Sequence, residues 1–69
     1  MSILKILTSK EKQIFDLLVQ NYNTKEIAFT LGISDKKVRN HISNVLLKLG
    51  VKGRAQAVVE LIKMNEIQI

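Results

Sequence analysis

The chain has 69 residues, 46% of them hydrophobic, carries a net charge of +5 and contains neither cysteine nor proline. That length admits one small domain whose core leaves little stability to spare, and the missing thiols exclude disulfides, a zinc ribbon and a thiol nucleophile. A lone His41 cannot supply a histidine-based metal site, so no cofactor or metal is expected. The surplus of positive charge suits an anionic partner, either nucleic acid or an acidic membrane surface. No apolar run approaches the roughly 18 residues of a spanning helix, and "MSILKIL" is too short and too lightly charged for a signal peptide. A cytoplasmic location with no membrane partner is therefore expected.

With glycines only at 32, 50 and 53 and no strand-like alternation, the punctuation predicts four helices joined by short connections. The first begins at "TSKE", where Thr8 and Glu11 have the spacing of a reciprocal capping box, and it places Ile14, Phe15, Leu17 and Leu18 on one face. "NYNT" then interrupts the pattern and supplies caps for a second helix, roughly Lys25 to Leu31, with Ile27, Ala28 and Leu31 facing inward. Gly32 stands where a left-handed residue is wanted. Phe29 falls on the outer side, either as an isolated exposed residue or packed against the amino-terminal "ILKIL".

Ser34 caps a third helix that runs to Gly50, about 22 Å long, with Val38, Ile42, Val45, Leu46 and Leu49 at helical spacing. Its other side carries Lys36, Arg39, Asn40 and Ser43. A short helix, a glycine turn, a serine cap and a long two-faced helix make the layout of a helix-turn-helix, whose second helix enters the major groove of double-stranded DNA. Arg39 can bond two acceptors on a guanine edge and Asn40 can both donate to and accept from an adenine edge. Lys36, Lys37 and Lys48 suit phosphates. Thr24 and Lys25 open the second helix, whose terminal amides can hold a phosphate as well as be capped. Ser34, Ser43 and Asn44 complete the expected DNA face. Leu47 points outward near Asn40, toward a thymine methyl group or sugar, or else simply into solvent. His41, on the border of the two faces, reads as a packed structural residue ahead of a base contact.

A fourth helix is expected from about Arg54 to Met64. It has two apolar sectors, Ala55, Val58, Val59 and Ile62 on one side and Ala57, Leu61 and Met64 on another. One sector can be buried in the domain's own core; the second needs another covering. The expectation is a homodimer through this carboxy-terminal helix with Ala57, Leu61 and Met64 in the interface. The alternative is that this stripe packs on "SILKIL" of the same chain. Residues 1–69 read as a single domain with a short amino-terminal extension, 1–7.

"LTSKE", "TKEIAFTLGIS", "KKVRNHISNVLLKLGV" and "KGRAQAVVEL" follow one another at the spacing of the LuxR-type helix-turn-helix domain, which the chain resembles from about Leu7 to Met64. The resemblance implies an all-helical DNA-binding transcription regulator, with Arg39 reaching bases and Asn40 and Ser43 beside it. It also implies that Arg54 pairs with Glu26, that RNA polymerase is a further partner, and that the dimer forms. Lys37 departs from the threonine usual at that place. Most members carry this domain behind a receiver or ligand-sensing domain, whereas only a few residues precede Leu7 here. The resemblance is therefore to the stand-alone subtype found among late sporulation regulators of bacilli, which implies spore-coat genes as targets and an activity set by how much protein is made.

Two other readings use the same fold: a protein-interaction module working through the spare apolar stripe, and a basic compacting protein without sequence preference. An enzyme is not expected, since no paired inward carboxylates, activated nucleophile or phosphate-cradling glycine loop can be found.

Overall fold

The computed structural model describes residues 5–68. Four helices follow in order, α1 (Ser9–Val19), α2 (Thr24–Leu31), α3 (Asp35–Leu49) and α4 (Arg54–Lys63). The four helices, their order and the all-helical class are as the sequence predicts. The part of the amino-terminal extension that covers residues 1–4 lies outside the described residues.

Each helix begins and ends for a local chemical reason. The capping box at Thr8 is present in both directions: the Glu11 N–H donates to Thr8 Oγ1 at 3.1 Å and the Thr8 N–H donates to Glu11 Oε1 at 2.9 Å. A second box opens α2, where Asn23 Oδ1 accepts the Glu26 N–H and Glu26 Oε1 accepts the Asn23 N–H, both at 2.8 Å. Ser34 Oγ accepts the Lys37 N–H at the start of α3.

All four helices end in a left-handed residue whose successor's N–H reaches back five residues, the Schellman arrangement that satisfies the last carbonyls. Tyr22, Ile33, Val51 and Glu66 make these bonds, to Leu17, Ala28, Leu46 and Leu61. The left-handed positions are Gly32 and Gly50, each at φ 68°, and Asn21 and Asn65, at φ 72° and 59°. Asparagine is the residue besides glycine that tolerates this conformation at small cost, because its short amide bonds locally.

The core gathers Ile14 and Phe15 of α1, Ile27 and Ala28 of α2, Val38, Ile42 and Val45 of α3, and Ala57 and Leu61 of α4. The long α3 packs against each of the other three helices. The segments flanking the outer helices join this core: Leu7 is buried before α1 and Ile67 after α4. They are tied to each other by the Ile6 N–H, which donates to the buried Glu66 carboxylate at 3.1 Å.

Burial pushes the Glu11 carboxyl up, but the Lys48 ammonium and the Thr8 amide and hydroxyl outweigh it and hold the group below its ordinary value. A lowered folded pKa means stability that is fully present above the ordinary glutamate value near 4.3 and is lost as pH falls through the lowered one. Urea unfolding at pH 7 and at pH 3 should therefore show a smaller acid loss in Glu11→Gln than in the parent. An equal acid loss in both would remove Glu11 from the acid response.

Candidate nucleic-acid interface

The αL turn at Gly32 brings α2 back against α3, and the Ile33 N–H bonded to the Ala28 carbonyl at 3.0 Å holds that turn. Helix α3 then divides cleanly. Val38, Ile42 and Val45 are buried, and Leu46 and Leu49 are partly so. Lys36, Lys37, Arg39, Asn40, Ser43, Asn44 and Leu47 are exposed. At about 100° per residue, Lys36, Asn40, Ser43 and Leu47 share a sector of about 60° directly opposite the buried side, with Asn44 and Lys37 on one flank and Arg39 on the other.

Lys25 and Ser34 are exposed and Thr24 half-buried, so the start of α2 and the turn border the same face. Among the described residues, no ion pair or side-chain hydrogen bond engages Lys25, Lys36, Lys37 or Arg39. Their charges are thus directed at solvent, while Ser34 already spends its hydroxyl oxygen on the helix cap. His41 is half-buried at the edge of the core.

Three sequence expectations are corrected by this geometry. Lys48 is turned away from the exposed side of Arg39, Asn40 and Ser43 toward α1: its ammonium donates to Glu11 Oε1 at 2.6 Å and to the Ile6 carbonyl at 2.9 Å. These charge-assisted bonds to a buried carboxylate and a backbone carbonyl join the end of α3 to α1. Glu26 and Arg54 form no ion pair; the Glu26 carboxylate is engaged in capping α2, and Arg54 is exposed.

Ala57 and Leu61 are fully buried, and of the expected interface trio only Met64, 40% exposed, has surface to offer. The path of the chain through Gly50 and Gly53 turns Ala57 and Leu61 into the core, with Val58 and Ile62 of the other sector partly buried against it. Outward instead lie Ala55 and Val59, and with Val51, Gln56 and Glu60 they line a shallow groove. Phe29 does not pack on the amino-terminal segment within the described residues and stands 91% exposed on α2.

The family described as bacterial regulatory proteins of the luxR type matches residues 5–61. The chain belongs to the luxR family of bacterial regulatory proteins. It is 61% identical over 64 residues to the spore germination protein GerE of Bacillus subtilis, covering 93% of this chain and 86% of that one. It is also 42% identical to the transcriptional regulatory protein DegU of Brevibacillus brevis and 41% identical to the response regulator protein VraR of Staphylococcus aureus. The match covers 96% and 93% of this chain but only 28% and 31% of those longer regulators. A solved structure of the transcription factor GerE superposes with a TM-score of 0.91 at 52% identity, over 94% of this chain and 97% of the other. This luxR-family chain is accordingly a transcription regulator with a helix-turn-helix DNA-binding domain, and not an enzyme.

The sequence pattern of the luxR-family face left two features unread. Asn23 and Glu26 stand at capping-box spacing, a signal that assigns Glu26 locally and removes it from any pairing with Arg54. The Val51–Ala55–Val59 groove shows in sequence only as an apolar sector competing with Ala57–Leu61, and periodicity gives no reason to choose between them.

Proposed function

We propose that this chain reads promoter DNA as a two-fold dimer, laying α3 in the major groove so that Arg39, Asn40 and Ser43 meet base edges. Lys25, Lys36 and Lys37 meet phosphates beside them, with Thr24, Ser34 and Asn44 at the margins of the contact. The observation that carries this reading is the uncommitted polar and cationic face of α3, set opposite its buried side and braced by α2. Polar side chains at Asn40 and Ser43 support base reading, since they add hydrogen bonding where a purely electrostatic binder needs only charge.

The dimer rests on the groove of Val51, Ala55 and Val59 on α4, whose apolar atoms a second copy would cover. Residues 1–69 work as one domain in this reading, in the cytoplasm, with RNA polymerase as a further partner. Its relation to the spore germination protein GerE supports a place in sporulation, with spore-coat genes among the targets.

Selection of retained duplexes from random double-stranded DNA tests this. Two inverted half-sites about one helical turn apart are expected; retention without a motif would replace the reading by nonspecific compaction. Val59→Asp should keep its helix content, sediment as a monomer at tens of micromolar, and lose on the order of a hundredfold in affinity for the paired site while its half-site affinity stays. A Val59→Asp protein that remains dimeric would move the interface elsewhere.

A further inference from the structure

The line of side chains farthest from the core of α3 runs Lys36, Asn40, Ser43, Leu47. Three are polar, as a water-facing surface should be, and the fourth is a leucine 80% exposed, next to no apolar partner on its own helix face. Seven residues separate Leu47 from Asn40, about two helical turns or about 10.5 Å along the axis at 1.5 Å per residue, so the two side chains leave the same face of α3. With α3 lying in the major groove, a helix that sets Asn40 against a base edge therefore directs Leu47 toward the same groove, further along the site.

The major groove offers an aliphatic side chain only one protruding apolar group, the C5-methyl of thymine. Resting on on a guanine or cytosine edge instead, Leu47 would strip water from the O6 acceptor or the N4 donor and give no hydrogen bond in return. The side chain thus favours one base and penalises the others, the pairing of attraction and rejection on which specificity rests. From this placement we infer that Leu47 is a specificity-determining residue that reads a thymine methyl at one position of each half-site. The inference rests on the DNA-reading face proposed above and adds to it one base and one chemical group.

The test removes a methyl group and nothing else. In the selected site, each thymine is replaced in turn by uracil, and affinities are measured for the parent and for Leu47→Ala, whose exposed position leaves the fold intact. At one thymine per half-site the parent should lose about fourfold, the affinity that burial of one methyl-sized group confers, and Leu47→Ala should lose nothing there. Placing 5-methylcytosine in place of cytosine at that position should restore part of the parent's binding and leave the variant unchanged.

Uracil tolerated at every thymine, or an equal loss in parent and variant, overturns the assignment. So does a uniform weakening of Leu47→Ala across all sequences, which would place the side chain on a sugar. If Arg39→Ala also leaves the ratio of selected to random duplex unchanged, the DNA-reading face itself has failed; if only the uracil effect is missing, that face stands and Leu47 alone is excluded.

Discussion

Leu61→Asp is expected to unfold the domain. The Leu61 side chain is fully buried in the core shared by all four helices, so the substitution removes a leucine's packing, about 2–5 kcal/mol. It also leaves a carboxylate without a partner, which costs several kcal/mol more or forces the group to take up a proton. A chain of this length has a total stability on the order of 3–10 kcal/mol. The far-ultraviolet helical signal at 25 °C should therefore be largely lost. Val59, two residues away on the same helix and 50% exposed, provides the contrast, since aspartate there is solvated and the fold should survive. A Leu61→Asp protein that melted with the parent would show that this side of α4 faces outward after all.

Arg39→Ala should leave the melting temperature unchanged and remove sequence discrimination. The guanidinium is exposed and unpaired within the described structure, so its loss creates no cavity and strands no partner. On DNA, a bidentate contact to a guanine edge is worth on the order of 1–3 kcal/mol against the wrong base, tenfold or more at the pairs it touches. Lys36→Ala serves as the control, because a phosphate contact carries no sequence information. Its binding should weaken about equally on selected and random duplexes, with the salt dependence reduced by about one unit of slope. An unchanged ratio of selected to random affinity in Arg39→Ala would take base reading away from this residue.

Whatever depends on short-range chemistry is legible along the chain. Thr8 with Glu11, Ser34 before Lys36, and Gly32 and Gly50 at the helix ends set where helices start and stop, because a cap or a left-handed residue acts within a few positions of itself. The apolar period of Val38, Ile42 and Val45 likewise marks which side of α3 is buried and which is left exposed. The rest depends on how the helices meet. Ala57–Leu61 and Ala55–Val59 are equally apolar, and only the path of the chain through Gly50 and Gly53 selects which of them meets the core. Lys48 looks like a phosphate contact until folding brings Glu11 and Ile6, far off in sequence, within 3 Å of its ammonium. Glu66, sixty residues from the Ile6 amide it accepts, and the buried Ile67 beside it carry no periodic mark of burial. Their partners are assembled by folding, and a pattern read along one dimension holds no record of what meets across the core.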